Sequence, residues 1–343
     1  MAVPHARGVG SADAPCEPRV KIVILTYLDG ESDRKYDPVV PQVAAALKKL
    51  GHRASVLGVH GDMKKLLGGL ARRKPDLVFN MMEMWRDDVF GDVAVAGLLE
   101  LLGLRYTGSG PGELYLTQDK ALAKKILAFE KIPYPRFAVF SKDASLETGG
   151  NLRLPLFVKP LRMDASLGID RKSLVTDSIT LMKRVVAIHD EQGDSALAEE
   201  YIEGREFFVG VLGNAVPVAL PPIEVDYTGM PEGQPHVLDS KAKWDEGSKE
   251  YQGTKSVIAS IPDELRARLQ KISVDAYRAL RVRDYGRVDL RVTDTGEIYV
   301  LEVNASCYLE KTGELAMAAA TAGIDYTQLI ERIVGLAVER YGR

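Results

Sequence analysis

Arg287-Val288-Asp289-Leu290-Arg291-Val292 alternates polar and apolar residues, and beyond Asp294-Thr295-Gly296 the stretch Glu297–Val303 runs on to Asn304. Alternation with a period of two marks a half-buried strand, and the Asp-Thr-Gly segment between two such runs reads as a hairpin turn. Arg287, Asp289 and Arg291 therefore share one face, and Glu302 and Asn304 share a face of the partner strand. Folding at 294–296 sets residue 289 roughly opposite 300 and residue 287 roughly opposite 302. Asp289, Glu302 and Asn304 then converge within about 5 Å across the strands. Two carboxylates and an amide oxygen are hard ligands, suited to Mg2+ that keeps positions for water and phosphate. Arg287 beside them would face the developing charge of a phosphoryl or tetrahedral species. A solvent-facing hairpin of mixed charge is the competing reading, and three oxygen donors plus an arginine on a single face weigh against it.

Upstream, strand-like runs alternate with helical periods. Val20–Leu25 reads as a buried strand, Val39, Val43, Leu47 and Leu50 recur at helical spacing, and Gly51 closes that helix. Ala54–Val59 and Asp76–Asn80 read as strands, and Asp92–Leu102 as a helix ending at Gly103. This rhythm predicts an α/β domain with a parallel sheet over residues 19–115. Residues 1–18, rich in Gly, Ala and Pro without a signal-peptide apolar core, read as a disordered leader. A central α+β domain is expected over 116–210. Thr117 would cap its first helix, through Lys120, Leu122, Ile126 and Phe129. Strands would follow at Arg136–Phe140, Leu156–Lys159, Ala196–Tyr201 and Glu206–Leu212, with a helix around Ile179–Ile188 and a Gly204 turn pairing the last two strands. The C-terminal domain, 211–343, opens with a polar stretch, Pro221–Thr254, read as a long functional loop. It continues with an amphipathic helix through Leu265, Leu269, Ile272, Ala276 and Leu280, the hairpin, and a final helix carrying Leu329, Ile330, Ile333, Val334 and Ala337.

Composition sets outer limits. The 343 residues hold 46% apolar and 27% charged side chains, 45 basic against 48 acidic, for a net charge of −3. That balance lacks the bulk positive charge of a protein held on nucleic acid or anionic lipid. Two cysteines, Cys16 and Cys307, build no disulfide framework, and a cytoplasmic setting fits them. No apolar run approaches membrane-spanning length.

Lysines form a second set. Lys159 ends the apolar strand Leu156-Phe157-Val158-Lys159-Pro160, where it can reach a phosphate as a point charge. The small-residue turn that follows, containing Ser166 and Gly168, can offer backbone N–H groups to phosphate oxygens. Cys307 stands three residues beyond Asn304 without a histidine partner in the sequence, so a packing role is expected rather than a nucleophile. His52, His60, His189 and His236 are scattered and read as structural or surface residues.

The ordered set of segments resembles the D-alanine–D-alanine ligase branch of the ATP-grasp superfamily over about residues 19–338. Its carriers are Leu98–Gly110 with Tyr106-Thr107-Gly108-Ser109-Gly110, Asp119-Lys120, Phe157–Pro160, Glu199–Glu206, Gly286–Asp289 and Leu301–Asn304. The resemblance implies an ATP-grasp fold, with an N-terminal parallel-sheet domain before a two-part nucleotide-binding unit. It implies that Lys120 and Lys159 contact ATP phosphates, with Lys159 also near the adenine. Glu199 and the backbone at Ile202 would meet the adenine, and Glu206 the ribose. Lys243 would reach the γ-phosphate from a mobile loop, Ser166 would lie in the glycine-rich loop, and Arg287 would stabilise the tetrahedral intermediate. Asp289, Glu302 and Asn304 would hold two Mg2+ ions, with Mn2+ an acceptable substitute. The partners implied are a small-molecule carboxylate and an amine, and a homodimer is compatible with it.

Substrate segments depart from that family pattern. The Gly-Gly-x-Ser-x-Glu and His-Gly-x-x-Gly-Glu-Asp-Gly motifs are replaced by Tyr27–Asp33 and Asn80–Asp88, and the Pro-Gly after Asn304 is absent. Glu31, Glu83, Arg86 and Gly313 are the candidates for substrate contacts. The expected activity is ATP-dependent amide or peptide bond formation through an acyl phosphate, on an amino-acid-like substrate other than a pair of D-alanines. The alternatives are a D-alanine–D-alanine ligase itself and a phosphotransferase acting on a small molecule. A regulatory nucleotide-binding module that has lost catalysis is disfavoured by retention of Lys159, Arg287, Asp289, Glu302 and Asn304.

Overall fold

Ile22, Val23, Ile24 and Leu25 are all fully buried, which a strand covered on both faces requires. In the computed structural model they form β1 (Lys21–Tyr27), the centre of a parallel sheet between β2 (Arg53–Val59) and β3 (Leu77–Met81). The structure describes residues 20–342 apart from 31, 32, 34, 87, 144, 149, 150, 165, 231–235 and 246. The expected leader and Glu31 thus lie outside the described residues.

Side chains alternate along β1 into two separate cores. Ile22 and Ile24 pack with Val39, Val43 and Leu47 of helix α1 (Val39–Lys49). Val23 and Leu25 pack with Leu66 and Leu70 of α2 (Met63–Arg73) and with Val95 and Leu99 of α3 (Gly91–Leu101). Next come α4 (Pro111–Gln118) and α5 (Lys120–Phe129). The cap of α5 is Asp119, whose carboxylate accepts from the Leu122 N–H, and not Thr117, which lies inside α4. Proline at the first turn of α4 starts a helix where the glycine cluster reads as a break.

The second sheet is antiparallel, in the order β5-β4-β8-β6-β7, from β4 (Phe137–Phe140), β5 (Leu146–Thr148), β6 (Leu156–Pro160), β7 (Leu174–Val175) and β8 (Ala196–Glu200). Helix α6 (Ser178–Ala187) covers one face through Val185, and Ala121 of α5 meets the other.

The third sheet runs β12-β11-β9-β13-β14, with β10 (Val218–Ala219) paired to β9 (Arg205–Leu212). Its other strands are β11 (Ile223–Asp226), β12 (Lys255–Ile258), β13 (Tyr285–Val292) and β14 (Ile298–Asn304). Helices α9 (Asp263–Ala279), α10 (Glu314–Thr321) and α11 (Tyr326–Gly342) pack around it. The expected loop 221–254 is in fact partly regular. It holds β11 and the short helices α7 (Ser240–Trp244) and α8 (Lys249–Gly253). The segment 199–206 is no hairpin either: β8 and β9 belong to different sheets, and residues 201–204 carry the chain between them. Gly204 takes φ +143, and a Cβ there would stand 2.0 Å from the Val292 carbonyl oxygen, so the crossing requires glycine. A boundary at 115/116 would fall within α4, and one at 210/211 within β9. Among the described residues no helix is long and apolar enough to cross a membrane.

Candidate active site

A cleft between the second and third sheets is lined by Lys120, Lys159, Ser166, Glu199, Ile202, Glu206, Lys243, Arg287, Asp289, Glu302 and Asn304. These come from α5, β6, the turn after it, β8, the crossing, β9, α7, β13 and β14. A wider surface groove, between α9 and the hairpin at Arg268, Lys271, Glu297 and Tyr299, contains none of them.

The hairpin register differs from the one expected. Thr293 donates its N–H to Glu297 across a three-residue turn with Gly296 at φ +82, which pairs Val292 with Ile298 and Leu290 with Val300. A bulge then inserts Leu301, so that Asp289 pairs with Glu302 and Arg287 with Asn304. All four polar residues end on one face. Arg287 grips Asp289 with two hydrogen bonds, Nε to Oδ1 at 2.7 Å and Nη2 to Oδ2 at 2.9 Å, and Asn304 Nδ2 donates to Oδ2 at 3.2 Å. Burial pushes the Asp289 carboxyl up, against the pull of Arg287, to about 6. Burial works on Glu302 in the same sense, but Lys159, Lys120, Arg287 and Lys243 outweigh it and hold the carboxyl at about 2. Arg287 also reaches Glu314 at 3.5 Å, which in turn accepts from the Ser256 hydroxyl.

The residues fit a divalent cation of the magnesium kind. The donors on this face are all hard oxygens, and among the described residues no cluster of three or more His, Cys, Asp or Glu could hold a metal by protein groups alone. Two carboxylates and one amide oxygen leave coordination positions that phosphate oxygens and water would complete.

The lysines surround this patch. Buried Lys120 donates to the Met163 carbonyl at 2.7 Å and to Asp164 at 3.0 Å; burial opposes its charge, and Asp164 and Glu302 more than offset that. Lys159 lies 3.0 Å from Glu199 Oε2, and Lys124 lies 2.7 Å from Glu199 Oε1. Burial would raise the Glu199 carboxyl, but the two lysines hold it below its ordinary value. Lys124 escaped the sequence reading. Its signal is its place at i+4 from Lys120 on the buried face of α5, with Ala121, Ala123 and Leu127. Lys243 sits on α7 at the cleft, where burial and then Arg287 lower its pKa. Ser166 takes φ +61, and its hydroxyl donates to the Leu238 carbonyl at 2.9 Å, joining the glycine-rich turn to the segment that leads into α7.

At the other end of the cleft, Glu206 Oε2 accepts from the Tyr227 hydroxyl at 2.8 Å and from Arg291 at 2.7 Å. The Ile202 carbonyl accepts from Arg291 at 2.9 Å.

The substrate candidates separate. Glu83 is accessible yet hemmed in: burial first, then Asp37, Asp92 and Asp164, push its carboxyl up to about 7, opposed by Lys243. Tyr27 hydrogen bonds to Glu83, and the Tyr308 hydroxyl donates to Asp37 at 2.9 Å. Of the cleft lysines, Lys243 is the one whose charge acts on Glu83. Arg86 does not join it. Its side chain lies across Gly61 and donates to the Gly61 carbonyl at 3.4 Å. Gly313 is the cap of α10 and does not line the cleft. Cys307 packs in the core with its thiol pushed up to about 12 by burial. His60 and His189 are tied to the carbonyls of Leu28 and Phe140, away from the cleft.

Comparison with known proteins agrees with this arrangement. The family described as D-ala D-ala ligase C-terminus matches residues 125–335. A Sinorhizobium fredii protein described as uncharacterized protein y4sG is 35% identical over 88% of this chain and 88% of its own length. The D-alanine–D-alanine ligase of Pelotomaculum thermopropionicum is 33% identical over 73% of this chain and 77% of its own. In fold, the Bacillus anthracis D-alanine–D-alanine ligase crystallised with ATP superposes with a TM-score of 0.69 at 24% identity, covering 93% of this chain and 98% of that one. With family model, sequence relatives and fold in agreement, the chain belongs to the D-alanine–D-alanine ligase family, the ATP-dependent carbon–nitrogen ligases of the ATP-grasp fold.

Proposed function

We propose that this enzyme is a D-alanine–D-alanine ligase, using ATP to join the carboxylate of one D-alanine to the amine of another. The relatives named for that activity, such as the 33% identical Pelotomaculum enzyme, favour this substrate over the non-alanine acid expected from the sequence. The observation that carries the chemistry is the face on which Arg287, Asp289, Glu302 and Asn304 meet, with Lys120, Lys159 and Lys243 around the same cleft. A carboxylate is a poor acyl donor because oxide would have to leave. Phosphorylation by ATP converts it to an acyl phosphate, and the three lysines would neutralise the phosphate charges during transfer. Asp289, Glu302 and Asn304 would hold Mg2+, which supplies Lewis-acid stabilisation of phosphate oxygens when bound. The second amine attacks the acyl carbon, Arg287 would face the resulting oxyanion, and phosphate departs as the peptide bond forms. Glu206 would accept from the ribose, and Glu199 and the Ile202 backbone would meet the adenine. The Glu83 region would receive the first amino acid.

A second reading, ligation of a different acid, is favoured by one feature. Tyr27 and Glu83, which stand in the place of the family's first-substrate motifs, lie together with Asp37, to which the Tyr308 hydroxyl donates. One assay separates these readings. The purified enzyme is incubated with ATP, Mg2+ and amino acids singly and in pairs, while ADP, phosphate and product mass are followed. D-alanine-dependent phosphate release with a dipeptide one water lighter than its two parts is expected. Release only with another pair would select the second reading, and a stable phosphorylated product would overturn both in favour of a phosphotransferase.

A further inference from the structure

The polar face of β13 carries a third residue, Arg291, which has no part in the phosphate end of the cleft. It is 4% exposed and stands directly across the ladder from Glu206. Nη2 donates to Glu206 Oε2 at 2.7 Å and to the His236 carbonyl, Nη1 donates to the Ile202 carbonyl at 2.9 Å, and the guanidinium lies over the Tyr201 ring at 5.2 Å. Three separate pieces of the cleft thus meet at one group: the crossing at 201–204, the carboxylate on β9 and the segment leading to Lys243 on α7. A planar fork of N–H donors can span these acceptors, whereas a single ammonium cannot. The Tyr227 hydroxyl donates to the same Glu206 oxygen, and its ring stacks on His236 at 5.2 Å. Oε2 therefore carries two donors, and Oε1 carries none among the described residues.

We propose that Arg291 is a positioning residue for nucleotide selection. It fixes the plane of the Glu206 carboxylate so that Oε1 accepts a ribose hydroxyl, and ribo- over deoxyribonucleotide choice depends on it. The proposal rests on the reading that Glu206 meets the ribose. A hydroxyl bonded to a charged acceptor contributes enough to discriminate by about tenfold or more.

The test is steady-state kinetics with ATP, 2′-deoxyATP and 3′-deoxyATP on the intact enzyme. The parent should prefer ATP over at least one deoxy analogue by about tenfold in kcat/KM. In Arg291→Met that preference should fall below about threefold, through a rise in KM for ATP with kcat little changed. Arg291→Lys, which retains charge but not the fork, should fall between, and Tyr227→Phe should keep most of the preference. If Arg291→Met does not fold, the Lys variant decides: full preference in it overturns the proposal. Loss of kcat at unchanged KM, or undiminished preference in Arg291→Met, also overturns it. Glu206→Gln separates the two levels. If it abolishes a preference that Arg291→Met leaves intact, only the positioning role fails. If the parent shows no preference and Glu206→Gln leaves KM for ATP unmoved, the ribose reading fails and takes the proposal with it.

Discussion

Lys124 ties the second sheet to the β13–β14 hairpin, and its replacement by methionine tests how much of the fold depends on that tie. Its Nζ lies 2.7 Å from Glu199 on β8 and donates at 2.7 Å to the Leu301 carbonyl at the bulge of β14, with 1% of the side chain exposed. Methionine keeps the length and apolar stem and removes the charge. The Leu301 carbonyl loses its donor, which costs about 1–3 kcal/mol for a buried acceptor. Stripping a buried carboxylate of its only partner costs about 3–5 kcal/mol. Glu199 retains Lys159 at 3.0 Å, so about half of that loss is expected. The total is about 3–5 kcal/mol, a large share of a typical stability of about 5–15 kcal/mol. For a chain of this size that lowers the midpoint of thermal unfolding by roughly 6–15 °C. Differential scanning calorimetry at neutral pH reads it directly. Pairing the change with Glu199→Gln should cost less than the two single changes added, by about 1 kcal/mol or more, because the lost partners are one another's. A midpoint within about 2 °C of the parent, or strict additivity, would refute the reasoning.

Asp289→Asn and Glu302→Gln should each lower ligase turnover by about 10²-fold or more while circular dichroism stays unchanged, and a chelator should abolish turnover reversibly with Mg2+ restoring it. Asp92, 2% exposed, is pushed up to about 7 by burial, against the opposing pull of Gln118 and the Val93 N–H. Between about 4, its unfolded value, and about 7 the native state binds a proton that the unfolded chain does not, so stability falls as pH rises, by up to about 1.4 kcal/mol per unit. Urea midpoints from pH 5 to 8 should show that slope in the parent and a flatter one in Asp92→Asn, which should be the more stable protein at pH 8. Cys307→Ala should keep turnover within a few-fold, and Cys307 should stay unlabelled by thiol reagents at pH 8 when its own peptide is read by mass spectrometry, since its thiol is buried and held at about 12.

Strands β1–β4, β6, β8, β9, β13 and β14 and helices α1, α3, α5, α6, α9 and α11 were legible because most of their residues follow a regular pattern, whereas the shorter strands and helices α2, α4, α7, α8 and α10 were not read. The continuous apolar run Ile22–Leu25, too short for a helix, fits a strand covered on both faces, and Val39, Val43 and Leu47 share one side of a helix. What escaped was non-local. That β8 and β9 part into different sheets depends on the crossing at Gly204 against Val292, a contact between segments far apart in the chain. The strand β11 hid inside 221–254 because its four residues, Ile-Glu-Val-Asp, alternate too briefly to stand out among polar neighbours. Lys124 went unread because its i+4 place on the buried face of α5 does not reveal that Glu199 and the Leu301 carbonyl are its partners. The nucleotide end of the cleft is made of charged residues on regular strands, which periodicity can place. The region proposed for the first amino acid is assembled from the loop after β3, the segment near Asp37 and the stretch around Tyr308, which share no period.

The hairpin holds a subtler lesson, since its face assignment survives a wrong register. Placing residue 289 opposite 300 assumes a turn one residue shorter than the three-residue loop that Gly296 closes in the left-handed region. Correcting that turn alone would pair Asp289 with residue 301 and put Leu301 on the polar face, with Glu302 on the far side. The bulge adds one residue on β14 and restores Glu302 to the face of Asp289. Two single-residue shifts thus cancel in parity, and the convergence inferred from alternation stands although each pairing behind it moves by two. The bulge also has work beyond parity: the carbonyl of its extra residue, Leu301, is the one that Lys124 holds. A ladder that stayed regular around the same turn would therefore lose both the carboxylate pair and the tie to the second sheet, which makes the irregularity at residue 301 a condition of the site rather than a flaw in the strand.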